Sequence, residues 1–438
     1  MEKSAPKVLP KVYNLKMLKK LYVAFLMFFF SVGFIFGYDV YFNRGVRTDW
    51  IATNFNEDLR WGSESFLNNH FLVPYFSIYS YIPQKLDTQS FYESLPRIAL
   101  SNLDTNFLLN RRFSTRSEIL CCMLGGASFG EIFHRLYLEV APVSWLSLLV
   151  SPFDFIMHYF GDDAASQRPG DGIKRLKMFF APGAIGIIKT TENYNSMKPI
   201  LFAGKYGLNL NYGNPFHISA TTPYSAFDVD LSASMAEGFI SVMLLTEGLL
   251  HKFKNFHTEN GSALLGLSME TDAVISNVYS YANYGFDIIY KLFLTPDNKC
   301  TFKLSTAVGF APFAGAENYI PLNVSSDIPK NEIPPQYDYC FGVCSKHRIT
   351  FSHNAIGTFD FSVICNFFFN IAQATSSTSG KGHHFINHIF ISYDKNLTKN
   401  FALGLEAGLY IEQVSYYGKD SIFICCPSIS LCAKFILI

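Results

Sequence analysis

Three small constellations in this 438-residue chain carry residue types that could do chemistry. The first is Leu124–Leu136, which holds Gly125, Gly126, Gly130, Glu131, His134 and Arg135. A glycine-rich run can cradle a phosphate on its backbone N–H groups, but such a loop ends in Lys-Ser/Thr and follows a strand; this one does neither. Read as a helix, it places Cys122, Gly126, Gly130 and His134 four residues apart, in one stripe of mostly small side chains. Gly126-x-x-x-Gly130 then admits a second backbone at close range, and Glu131 and Arg135 form an i, i+4 pair in the favourable orientation. The second constellation is His217-x-Ser219. Two residues apart on a strand they would share a face, as the base and nucleophile of a lipid hydrolase do. Pro215 and Pro223 flank them and no orienting acid is identifiable, so a polar loop explains the pair better. The third, His383-His384 with His388, has no acidic or Cys partner at metal-ligand spacing. Spacing alone gives no catalytic residue, no metal site and no cofactor.

The elements that must position these residues differ between the two halves of the chain. Residues 38–170 are aromatic and partly helical. Thr115-Arg-Ser-Glu118 is a capping box, and it predicts a helix running to about Leu138. Val143–Phe160 is a second apolar helix candidate, interrupted by Pro152 and too short to span a bilayer. Asp162–Gly172 is a polar linker with Pro169-Gly170.

Beyond the linker the hydrophobic period becomes two. Ile200, Phe202, Gly204, Tyr206, Leu208, Leu210 and Tyr212 alternate with Lys205, Asn209 and Asn211. The same alternation runs through Phe286–Leu292, Phe302–Phe310, Phe401–Ile411 and Ile429–Leu437, with polar loops such as Pro321–Gln336 and Ser376–Gly382 between strands. Asp228-x-Asp230 falls on one strand face and reads as lumen-facing. Residues 171–438, at ~20 per strand and connection, predict an all-β transmembrane barrel of about 12 antiparallel strands. The helical segment is expected to plug or cap it.

Composition agrees. Aromatic residues make up 16% and charged residues only 16%, against the ~25% charged of ordinary soluble domains. No basic surplus points to nucleic acid. After the N-terminus no run of ~20 apolar residues offers a helical span, and a barrel needs apolar residues only at every second position.

The N-terminus carries six Lys and one acid within residues 1–37, ahead of and including the apolar run Leu21–Phe36. That is the shape of a secretory signal, although Ile35-Phe36-Gly37 is not a small-x-small cleavage box; Met17 offers an alternative start. Removing residues 1–37 leaves 29 basic against 34 acidic residues, a net charge of −5. The nine Cys form no metal signature, and Cys340-x-x-x-Cys344 near Cys300 is the one cluster that could bridge.

Val73-Pro74-Tyr75, Phe91-Tyr92-Glu93-Ser94, Ser117-Glu118 and Gly125-Gly126-Ala-Ser-Phe-Gly130-Glu131 with Arg135-Leu136 together resemble the DUF3943 family of bacterial proteins. Val73 stands where that family has His, and Tyr92 where it has Trp. The resemblance implies an outer-membrane protein of a diderm bacterium and transfers no catalytic residue. Its expected partners are outer-membrane lipid, the barrel assembly machinery and a small-molecule solute in the lumen. Three readings of function follow: a transport, channel or envelope-structural barrel; a barrel-embedded lipid hydrolase using His217 and Ser219; and a secreted β protein anchored by residues 21–36.

Overall fold

A computed structural model describes residues 66–88, 90–108, 115–140, 147–148, 150–152, 154–156, 172–191, 194–217, 222–297, 299–317, 337–373, 382–416 and 421–437. The expected signal segment, most of Val143–Phe160, the linker up to 171 and the loops 321–336 and 376–381 lie outside the described residues.

Twelve strands close into one antiparallel barrel: β1 (Ile173–Thr191), β2 (Tyr194–Tyr212), β3 (Phe227–Ala236), β4 (Phe239–Thr258), β5 (Gly261–Ser276), β6 (Tyr281–Asp297), β7 (Cys300–Glu317), β8 (Tyr337–His353), β9 (Gly357–Gln373), β10 (Gly382–Asn396), β11 (Phe401–Tyr416) and β12 (Ile422–Ile436). Each strand pairs with its sequence neighbours, and β1 closes on β12 from Lys177↔Ile436 to Thr191↔Ile422. Every strand thus has a partner on both sides, the condition that lipid imposes on a sheet. The expected barrel of about 12 strands is the one found.

The period of two sorts the side chains. On β12, Phe423, Ile429, Leu431 and Phe435 point outward and are exposed, while Cys426, Ser428, Ser430, Cys432 and Lys434 point inward. On β11, Leu403 and Leu405 point outward against inward Gly404, Glu406, Tyr410 and Glu412. Met178, Phe180, Phe202, Ile288, Val308, Phe310, Val343 and Ile391 continue the exposed apolar band round the wall. A water-soluble protein rarely exposes so large a continuous apolar surface, and a barrel in lipid requires it. The end that carries Ile173 and Ile436 has tight turns between β4 and β5, β6 and β7, and β8 and β9. The longer connections 318–336 and 374–381 leave from the opposite end.

Among the described residues, the helices ahead of the barrel include α1 (Val73–Thr88), entered through a π-helical turn at Asn68–Leu72, α2 (Phe91–Leu108), α3 (Arg116–Leu120) and α4 (Ala127–Val140). Thr115 caps α3: its hydroxyl accepts the Glu118 N–H, and the Glu118 carboxylate accepts the Thr115 N–H at 2.9 Å. A π-helical turn, Cys121–Gly126, joins α3 to α4 without a break.

The place of these helices differs from the expected plug or cap. Along β6, Asp287 and Lys291 face the lumen and Ile288 and Tyr290 face outward, so Tyr284 also faces outward. Its β7 neighbour Phe313, Met269 on β5, Leu210 and Tyr212 on β2, Phe227 on β3, and Tyr337 and Tyr339 on β8 lie on that outer face too. All are buried in one cluster with Phe66, Ile78, Tyr81, Leu124 and Phe129 of the helical segment. The helices therefore lie against the outside of the wall. Their apolar faces match its aromatic exterior, whereas the lumen wall is charged and would leave those faces unmatched.

Tyr224, in the connection between β2 and β3, anchors this packing. Its backbone holds a left-handed φ of 58°, unusual for a bulky side chain. Its N–H donates to the Leu249 carbonyl at 2.7 Å and its hydroxyl bonds Ser128 of α4 at 2.7 Å. The same connection does enter the barrel: Phe216 packs against inward Leu249, Leu264, Ile289 and Ala307.

Charge placed on the two wall faces should have opposite consequences. A Leu405→Arg variant, on the outer band, should lose roughly 2–4 kcal/mol of stability at mid-membrane depth. Ser430→Arg, facing the lumen, should lose far less. Unfolding in urea from lipid vesicles, followed by heat-modifiable gel migration, measures both; equal losses would contradict the assigned faces.

Candidate functional site

The half of the lumen nearest Ile173 and Ile436 is a charged chamber. Arg175 and Lys177 of β1, Lys205 of β2, Asp230 of β3, Arg348 of β8, Asp360 of β9, Asp394 of β10, Glu406 of β11 and Lys434 of β12 all line it. Inward positions on a barrel wall fall at every second residue, so charges far apart in sequence converge here.

Most of these charges meet in pairs. Arg348 holds Asp360 with two donors, at 3.0 Å from Nε and 2.8 Å from Nη2. Its Nη1 also reaches Asp230 at 3.5 Å. β3 and β8 stand five places apart in the ring of twelve, so this guanidinium crosses almost the full width of the lumen. Lys205 pairs with Glu406, Lys434 with Asp394 at 2.8 Å, and Lys291 with both Asp228 and Glu247. Among the described residues, Arg175 and Lys177 have no carboxylate within ion-pair distance, so the chamber carries surplus positive charge.

The chamber is wet and narrow. The Arg348 side chain is 40% exposed, although it lies inside the barrel. Two cavities in the lumen measure about 120 and 60 Å³, against the ~10–15 Å³ that one water needs on the same measure. Several waters fit in them. Toward the opposite end the lumen is filled by stacked aromatics: Tyr279 lies on Tyr410 with ring centres 3.7 Å apart, and Tyr281 flanks Tyr410.

His384 sits at that end, fully buried between Asp338 at 2.9 Å and Glu412 at 3.1 Å. The acidic partners that linear spacing did not reveal come from β8 and β11. The signal that could have found Glu412 is barrel register, which pairs His384 with Val414 on the adjoining strand and sets Glu412 two residues away on the same face. His388, also buried, packs tilted against Phe390 and is edge-on to Tyr410, while His383 lies against Phe367 on the other face.

The glycine-rich stretch lies in the helical segment, away from the chamber. A Cβ at Gly125 would come within 2.7 Å of the Tyr284 ring and 2.8 Å of Pro74; one at Gly126 would come within 2.5 Å of Ser77; one at Gly130 would fall on the Tyr81 ring. The three glycines are where α1 crosses the rod of α3 and α4. Glu131 and Arg135 pair at 2.9 Å with both side chains buried, and Lys85 reaches Glu131 at 3.3 Å. Tyr81 donates its hydroxyl to the same carboxylate, and Arg135 also donates to the Pro223 carbonyl at 2.6 Å. Burial pushes the Glu131 carboxyl up, but Arg135, then Lys85, His134 and the Tyr81 hydroxyl, outweigh it and hold it at about 2. On His134 burial pulls down, and the 2.6 Å contact with Asp154 overrides it upward.

His217 stands exposed in the β2–β3 connection, its carbonyl accepting from Lys252; Ser219 lies outside the described residues. Asp228 and Asp230 both face the lumen, held by Asn211 and Asn209 at 2.6 Å each. All nine cysteines are unpaired. Cys340 and Cys344 are four residues apart on one extended strand, a spacing of ~13 Å that no disulfide spans, so the suggested bridge in this cluster does not form.

No protein-family model and no curated protein match the chain. Among solved structures it is similar to the KdgM porin (8% identity, 56% of this chain, 97% of that one, TM-score 0.21). It is also similar to the NanC porin (10% identity, 57% and 98%, TM-score 0.24) and to the β domain of the Bordetella autotransporter BrkA (9% identity, 60% and 99%, TM-score 0.24). At these overlaps the likeness adds nothing to what the strand register already establishes.

Two outcomes follow for the helical segment. Because the Glu131 carboxyl is held below its ordinary 4.5, its stabilising contribution is complete above about pH 4.5 and falls away as pH drops toward 2. Protease resistance of residues 66–140 should follow that course. In Glu131→Gln it should be lowered by a few kcal/mol and lose its dependence between those two values. Gly130→Ala, which forces a methyl into the Tyr81 ring, should cost roughly 1–3 kcal/mol in the same assay.

Proposed function

We propose that the chain is an outer-membrane β-barrel of the transport class, passing small anionic solutes through its lumen. The exposed apolar band supports a place in lipid. The observation that carries the reading is Arg348, bound to Asp360 on one wall and reaching Asp230 on the other. A purely structural barrel gains little from cross-lumen charge, because packed apolar residues of the same volume fill an interior at least as stably. A polar, hydrated constriction is how barrels select solutes.

The unpaired cations Arg175 and Lys177 set the sign. A chamber whose surplus charge is positive concentrates anions locally. The aromatic stack around Tyr410 then serves as the closed gate. The resemblance to DUF3943 proteins is compatible with this location and class.

Planar-bilayer recordings of the full chain test the reading. Wild type should show small or rare openings with anion preference in a salt gradient. Arg348→Ala with Tyr410→Ala should raise conductance several-fold, and Arg175→Ala with Lys177→Ala should lower or reverse the preference. A Tyr410, Arg348 double variant that folds yet never conducts would sink the transport reading and leave an envelope-structural one.

A further inference from the structure

We propose that the inner wall of the barrel binds one thiophilic divalent cation, of the zinc class, between Glu270 of β5, Asp287 of β6 and Cys344 of β8. One ligand atom from each of the three lies within 4.8 Å of the other two, and all three residues are buried. They come from three strands, so the arrangement is made by the barrel and is invisible in linear spacing.

The cluster is short of positive charge. Among the described residues, the one cation in ion-pair contact with Glu270, Asp272 or Asp287 is Lys346, which lies 3.0 Å from Asp272 and 3.4 Å from Glu270. With every group ionised, two negative charges remain uncompensated, which a buried site does not tolerate without a counter-charge. Asp287 points directly at the deficit: its Oδ2 is buried and has no hydrogen-bond partner, and the same holds for Asp272 Oδ2 and Asn283 Oδ1. Three acceptor oxygens without donors, beside a thiol, describe a place for a cation.

The wall is shaped for the cluster. A Cβ on Gly285 would come within 2.8 Å of the Cys344 sulfur and 3.0 Å of Glu270, and one on Gly309 would fall on Asp287. The two glycines leave the volume that the ligand side chains fill.

Donor chemistry selects the ion. Two carboxylates alone would suit Mg²⁺ or Ca²⁺, but a thiolate favours zinc and softer metals. Without metal, the Cys344 thiol donates to Asp287 Oδ1 at 3.2 Å. On binding, that S–H bond breaks, the proton leaves to solvent, and sulfur and both carboxylates bond the ion without change of oxidation state. Lys346 lies toward Asp272 and would remain its partner. This inference is independent of the transport reading: a structural ion would tie β5, β6 and β8 together in a conducting or a silent barrel alike.

The test uses the full chain folded in detergent, with zinc alone or cobalt alone as probe. After dialysis, elemental analysis should find about one zinc per folded chain. Cys344→Ser and Asp287→Asn should each lower zinc affinity by at least about tenfold, with heat-modifiable migration confirming that the variants fold. Cobalt-loaded wild type should show a thiolate-to-cobalt charge-transfer band, a readout that needs no variant. Sub-stoichiometric zinc, or a cobalt spectrum without that band, would overturn the proposal and mean that protons alone compensate the acids. Full retention of zinc by both folded variants would overturn it as well.

Discussion

The ladder between β1 and β12 is the constraint on which everything else depends. A strand in lipid cannot leave its backbone N–H and C=O groups unpaired, because no water is present to take them. Closing the ring from Lys177↔Ile436 to Thr191↔Ile422 removes both edges at once. Closure also fixes an inside and an outside. From there the period of two does the sorting: one set of side chains must satisfy lipid, and the other must fill or hydrate a tube.

Twelve strands make that tube wider than the eight-stranded barrels whose interiors side chains fill readily, and narrower than the sixteen-stranded ones that leave a channel. The chain deals with the intermediate width in three ways. Phe216 packs in from the end that carries Ile173 and Ile436, against Leu249 and Ile289. Long charged side chains, Arg348 above all, cross that same half of the lumen. Tyrosines stacked on Tyr410 fill the far end. The fully buried His384, at that far end, has two carboxylates beside it.

The barrel was legible in the sequence because alternation is local: Phe401–Ile411 and Ile429–Leu437 declare their two faces without reference to any other segment. What lay beyond reach was anything that depends on which strands stand opposite. Arg348 and Asp230 are 118 positions apart, and nothing near either residue marks the other. The same holds for the acids around His384, and for Glu270, Asp287 and Cys344. The position of the helical segment is beyond linear sequence for a related reason. A stripe of glycines shows that a helix packs closely against something, but not whether that partner is the inner or outer face of a wall. Tyr284 settles it, and its outward direction follows only from the register of β6.

Placing the helices outside changes what their polar residues must accomplish. Against the lumen, Glu131, Arg135 and Lys85 would have had water and other charges as neighbours. Against the outer wall they are enclosed by Tyr81, the Pro223 carbonyl and a layer of aromatic side chains, with an apolar band on either side. Unpaired charge there would be as costly as charge in lipid, so each cation must have its acid and each remaining donor a carbonyl. Arg135 meets that condition twice, through Glu131 on its own helix and through Pro223, next to the Tyr224 anchor. The ion pair is therefore the polar seam by which an amphipathic segment is fastened to an apolar wall, and the glycines bring α1 close enough for Tyr81 and Lys85 to complete it.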